Sequence, residues 1–115
     1  MTRLYISGPV TGIDNDNFEA FREAQSRLFD ACYITRVPHD LVIPEDSHET
    51  AMLLCISELT GRTQKPGVRY PVPRYDGVAL LEGWEQSEGA RLEVAVAEAC
   101  GITVKTVDEW LEVAR

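Results

Sequence analysis

The 115-residue sequence is poor in the features that hold small secreted or metal-bound domains together. It has three cysteines, Cys32, Cys55 and Cys100, and no Cys-x-x-Cys pair. An odd, widely spaced set excludes a disulfide framework and a cysteine zinc site. Its two histidines, His39 and His48, lack metal-ligand spacing, so they are assigned no role and neither a metal nor another cofactor is expected. No run reaches the ~20 apolar residues that span a bilayer, and the apolar start Leu4-Tyr5-Ile6 is too short for a secretory leader. A cytoplasmic protein with no membrane partner is expected. Basic residues are also scarce: 11 Lys and Arg stand against 19 Asp and Glu, a formal net charge of −8. Such a surface repels a phosphate polymer, which excludes a nucleic-acid-coating role. A small phosphorylated ligand stays open, because backbone N–H groups at a helix start bind anions locally.

What is present is a globular balance, 44% hydrophobic and 26% charged, in a length that suits a single domain over residues 1–115. Leu4–Ser7 reads as a strand ended by Gly8-Pro9, and Gly12–Asn17 as a turn-rich loop. A helix follows from Asn17 to Cys32, with Asn17 as N-cap and Phe18, Phe21, Leu28 and Ala31 facing the core. One of the runs Tyr33–Val37 and Leu41–Ile43 is the second strand. Ser47 opens a second helix whose apolar side is Met52, Leu53, Ile56 and Leu59, and Gly61 ends it. Arg62–Tyr75 holds three prolines and four basic residues and reads as a long loop, either a solvated run or local positive charge for a phosphate. Gly77–Leu81 is a continuous apolar run suited to the middle of a parallel sheet. A third helix spans Ser87 to Cys100, Ile102–Val104 forms a last strand, and Thr106 caps a final helix carrying Val107, Trp110, Leu111 and Val113. Strand–helix alternation of this kind predicts a parallel sheet with helices on its faces.

In open α/β sheets ligands sit beyond the carboxyl ends of the strands, where strand order reverses. Two segments qualify: Ser7–Gly12 and Gly83–Ala90. Their glycines let backbone approach a ligand closely. Glu93 lies in the second turn of the third helix, on one face with Ala90 and Ala97. It is either a solvated helix residue, the commoner state for a charged side chain, or a carboxylate beside a ligand. Ser87 needs no ligand to explain it as an N-cap, Tyr5 reads equally as a core tyrosine, and Trp84 is a packing residue or a stacking platform. Asp76 caps the turn before the buried strand.

Two stretches carry a family resemblance. Leu4-Tyr5-Ile6-Ser7-Gly8-Pro9-Val10-Thr11-Gly12 and the run from Asp76 through Gly83-Trp84-Glu85-Gln86-Ser87-Glu88-Gly89-Ala90-Arg91-Leu92-Glu93 resemble the DUF4406 family of phages and bacteria. That family is similar to nucleoside 2-deoxyribosyltransferases and 2′-deoxynucleoside 5′-phosphate N-hydrolases. The resemblance implies a flavodoxin-like three-layer sandwich with a mostly parallel central sheet. It implies cleavage of the N-glycosidic bond of a nucleoside or nucleoside 5′-monophosphate, by hydrolysis or by transfer of the sugar. The small molecule is the only partner so implied, apart from further copies of the chain in a dimer or tetramer. A non-catalytic nucleotide-binding protein, a sponge or sensor, is the alternative. By the resemblance, Glu93 is the nucleophile that attacks C1′, Tyr5 orients it, and Ser87 holds the 5′-phosphate. Gly8, Pro9, Gly12, Trp84 and Gly89 complete the substrate contacts. The resemblance also implies an aspartate on the second helix as proton donor. Ala51–Leu59 contains none, and Glu58 is the nearest substitute. Thr60–Arg74 reads as an insertion.

Overall fold

The first strand, β1 (Arg3–Ser7), is flanked on both sides, and its composition says why: Leu4, Tyr5, Ile6 and Ser7 are all buried. In the computed structural model, which describes residues 1–114, β1 pairs in parallel with β2 (Ile34–Arg36) on one side. A two-stranded antiparallel hairpin, β3 (Arg62–Thr63) and β4 (Val72–Pro73), stands apart from the main sheet. On its other side β1 pairs in parallel with β5 (Gly77–Leu80), which pairs in parallel with β6 (Thr103–Thr106). The order β2-β1-β5-β6 makes this a flavodoxin-like three-layer sandwich.

Among the described residues four α-helices cover the sheet: α1 (Phe18–Asp30), α2 (His48–Leu59), α3 (Glu88–Ala99) and α4 (Val107–Val113). Side chains on a strand alternate between faces, and the core divides accordingly. Leu4, Ile6, Ala79 and Leu81 pack with Phe21, Leu28 and Trp110 under α1 and α4. Tyr5, Val78 and Leu80 pack with Cys55, Leu59, Val94 and Ala97 under α2 and α3.

Several local expectations hold. Ser47 Oγ accepts from the Thr50 N–H and Ser87 Oγ from the Ala90 N–H, as N-caps do. Thr106 and Glu109 form a full capping box at α4. Asp76 does not cap its own turn through this bond: its carboxylate accepts from the N–H of Arg3 on β1 at 2.8 Å. Of the two candidate second strands, Tyr33–Val37 contains β2, while Leu41–Ile43 forms no strand. Other expectations are corrected. Asn17 has left-handed backbone (φ 59°), and its side chain donates to the Pro9 carbonyl instead of capping α1. Leu53 is 73% exposed, and the buried side of α2 is Cys55 and Leu59. That helix is apolar nearly all round, so periodicity could not single out a face. Phe18 and Val113 are exposed rather than core. Arg62–Tyr75 is not an unstructured loop: Arg62 and Thr63 pair with Pro73 and Val72, and Arg74 N–H donates to the Gly61 carbonyl. Proline is tolerated because the ribbon has only two strands and every strand is an edge.

Gly77 marks the tightest packing. A Cβ there would lie 2.2 Å from Trp110 Cζ2 and 3.0 Å from the Thr103 carbonyl oxygen. Trp110 cannot swing away, since its Nε1–H donates to the Val78 carbonyl at 2.8 Å. Gly77→Ala is therefore expected to cost roughly 3 kcal/mol of stability, measured as a lowered urea midpoint with an unchanged slope.

Candidate active site

The switch point lies between β1 and β5, where β2 and β6 branch to opposite sides. The chain leaving β1 turns at Gly8, whose missing side chain allows close approach: a Cβ would sit 2.7 Å from Leu81 Cβ. It then runs through Gly12 (φ 82°) into three successive left-handed residues, Asn15, Asp16 and Asn17. Asn and Asp are the side chains that best tolerate that region. The bond from Asn17 to the Pro9 carbonyl, at 2.9 Å, ties the two ends of this loop together.

Beneath the loop lies a cavity of about 330 Å³, at the small end of ligand pockets. It opens over the α2/α3 face of the sheet. Its walls come from the β1 loop (Gly8, Val10, Thr11), the segment after β2 (Pro38, His39, Val42) and the starts of α2 and α3 (His48, Ser87, Gly89).

Glu93 lines this cavity and is only 5% exposed, so the choice left open by the sequence is settled in favour of an inward-facing carboxyl. Ser7 Oγ donates to Glu93 Oε1 at 2.8 Å. Tyr5, two residues earlier on the same face of β1, places its phenol beside Glu93 and Cys55 without forming a well-directed hydrogen bond. Burial raises the Glu93 carboxyl to about 7, against a smaller lowering by Tyr5 and Ser7. Burial also pushes the Tyr5 phenol well above its ordinary value, with the Glu93 charge adding to the effect. Cys55 lines the same cavity, and burial pushes its thiol up to about 11, a weak nucleophile at neutral pH.

Three buried side-chain polar atoms have no hydrogen-bond partner among the described residues: Tyr5 Oη, Glu93 Oε2 and His39 Nδ1. Glu93 and His39 line the cavity and Tyr5 stands directly behind Glu93. Buried orphan atoms are rare in folded proteins and carry a cost. Their gathering around one cavity is the mark of a site shaped for something other than stability.

Of the residues singled out in the sequence, Gly8, Ser87, Gly89 and Glu93 line the cavity, with Tyr5 behind. Pro9 and Trp84 line a separate cleft at the same end of the sheet, between α1, α4 and the turn after β5. Gly12 lines neither. Glu58 is engaged elsewhere: its Oε2 accepts from Arg74 at 2.7 Å and from Tyr75 at 2.6 Å. Partial burial opposes ionisation of Glu58, but these two bonds outweigh it and hold its carboxyl below the usual value. This cluster pins the β3–β4 hairpin to α2 and lies outside the cavity lining. Sequence reasoning missed His39 and His48, which both line the cavity. Tested only for metal-ligand spacing, they gave no signal. The position of each, at the carboxyl end of a strand or the start of a helix, was the available clue.

The match to known families spans residues 2–64 and 68–106. The chain belongs to the DUF4406 family. That family is described as a domain of unknown function. Residues 65–67, the gap between the two matched stretches, fall between β3 and β4. No curated protein matches the chain. No helix among the described residues of this DUF4406 protein is long and apolar enough to cross a membrane.

The raised Glu93 carboxyl makes a stability prediction with a definite sign. Its folded value, about 7, lies above the ordinary 4.5. Below pH 4.5 both folded and unfolded states are protonated and nothing is lost. Between 4.5 and 7 the unfolded chain ionises first, so stability falls as pH rises, and the full loss, roughly 3 kcal/mol, is present above pH 7. Glu93→Gln removes this dependence. Its melting temperature is expected to exceed that of wild type at pH 8 and to converge with it near pH 4. A variant less stable than wild type at pH 8 contradicts the burial argument.

Proposed function

We propose that this protein cleaves the N-glycosidic bond of a nucleoside 5′-monophosphate, with Glu93 as nucleophile. The observation that carries the reading is a carboxyl buried on the wall of a ligand-sized cavity, one oxygen bonded to Ser7 and the other without a partner. A carboxylate against C1′ stabilises an oxocarbenium-like transition state and can form a glycosyl-enzyme, as in retaining glycosidases. Desolvation makes the unpartnered oxygen more reactive than a hydrated one, and Ser7 fixes its direction. The start of α3, with the Ser87 hydroxyl and the glycine at 89, offers backbone N–H groups to a phosphate. Apolar walls from Val10, Val42 and Met52 suit a base.

A second reading, a nucleotide-binding protein without turnover, gains support from Glu58. The carboxyl nearest in sequence to the expected proton donor is spent on Arg74 and Tyr75. Turnover separates the two readings. Deoxynucleosides and their monophosphates are incubated with wild type and with Glu93→Gln, and free base is quantified by chromatography. Base released by wild type, with a loss of at least ~10³-fold in the variant, is the expected result for a lost covalent nucleophile. Equal rates in the two proteins remove Glu93 from the chemistry. Absence of release, together with a melting temperature raised by a monophosphate, establishes the binding reading. For an active enzyme, kcat/KM is expected to rise with pH through about 7 as Glu93 ionises.

A further inference from the structure

One buried orphan atom is not used by the carboxyl and phenol just described. His39 Nδ1 is buried without a partner, and the residue lines the same cavity as Glu93. The rest of the imidazole is held firmly. Nε2 lies 2.8 Å from the Asp16 carbonyl oxygen. The ring meets Phe18 and Phe21 edge to face, with centroids 5.6 Å and 4.8 Å away. A carbonyl oxygen only accepts, so Nε2 carries a hydrogen and any proton gained or lost must be on Nδ1. One nitrogen anchored to a backbone acceptor and the other free is how a histidine is oriented for proton transfer.

The other cavity groups are less suited to deliver a proton. Glu93 is committed as nucleophile, and burial holds the Cys55 thiol protonated. His48 is exposed, at the first position of α2. Asp16 meets His39 through its backbone carbonyl. Glu58 lies outside the cavity in its own cluster.

On the glycosidic reading, we infer that His39 is the proton donor to the departing base, taking the role for which α2 supplies no free carboxyl. As the C1′–N bond breaks, its electron pair stays with the base, and the Nδ1 proton of the imidazolium neutralises a ring nitrogen. A Glu93 oxygen forms the new bond to C1′. In the second half-reaction water adds to C1′, the ester bond to Glu93 breaks with its electrons returning to the carboxylate, and the water proton passes to Nδ1. The cycle consumes one water and restores both residues.

The assignment is tested by the leaving group. The base of an N7-methylated deoxyguanosine monophosphate already carries a positive charge and departs without a proton. Release of base is measured for this compound, above its uncatalysed rate, and for the unmethylated monophosphates. His39→Gln retains a donor to the Asp16 carbonyl, and His39→Phe, which fills the space between Phe18 and Phe21, serves should the first fail to fold. Either is expected to lose ~10²–10⁴-fold on unmethylated substrates, the usual worth of a general acid, with release from the methylated one nearly unchanged. Glu93→Gln is expected to lose both. Equal losses on the two substrates in the His39 variants reduce the residue to a structural role and overturn the assignment, as does no loss on either. If wild type releases base from neither, the glycosidic reading itself falls and takes this inference with it.

Discussion

Parallel pairing of β1 with β5 is the constraint on which the rest of this molecule depends. From Leu4 to Ser7 and from Gly77 to Leu80 every residue of the two strands is buried, so both need cover on two faces, and α1 with α4 on one side and α2 with α3 on the other provide it. Because the chain then leaves β1 toward β2 and β5 toward β6 in opposite directions, a crevice must open at their carboxyl ends. The loop after β1 and the start of α3 are brought to that crevice by connectivity alone. The strand pleat sends Tyr5 and Ser7 to the α2/α3 side, where α3 presents Glu93.

The electrostatics follow from that placement. For a carboxyl that is 5% exposed, with no cation against it among the described residues, desolvation raises its value to about 7. An arginine beside it would have stabilised the ionised form and lowered that value. An arginine stands instead at Glu58, where Arg74 and Tyr75 fasten the hairpin. Two glutamates of one protein thus take opposite shifts, one raised by burial and one lowered by its partners. The raised one faces a cavity, and separation of this kind is how acid–base roles are divided within active sites.

The loop over the cavity carries local strain as well. Three consecutive left-handed residues, Asn15 to Asn17, are an unfavourable run for L-residues, kept within bounds by Asn and Asp side chains and by the tie to Pro9. The Asp16 carbonyl that this geometry turns inward is the one that His39 uses to fix its ring. A more relaxed loop would leave the imidazole without its anchor.

Much of this was legible in the sequence. Apolar runs at Leu4–Ile6 and Gly77–Leu81, alternating with capped helices, determine a parallel sheet, since runs apolar on successive residues must be buried on both faces. Ser47, Ser87 and Thr106 act as caps because that chemistry is local, and Gly8, Ser87, Gly89 and Glu93 lie at the crevice because connectivity puts them there. The tertiary structure decided the rest. Whether Glu93 pointed in or out depended on how α3 rolls on the sheet, a choice that a helix with small residues on several sides leaves open. The buried face of α2 was hidden because its apolar residues run nearly all round. Pro9 and Trp84 are within a few residues of cavity-lining positions yet belong to another cleft. His39 acquires meaning only when Phe18, Phe21 and the Asp16 carbonyl, about twenty residues away in the chain, close around it. Contacts between residues distant in the chain arise from packing, and local pattern does not encode them.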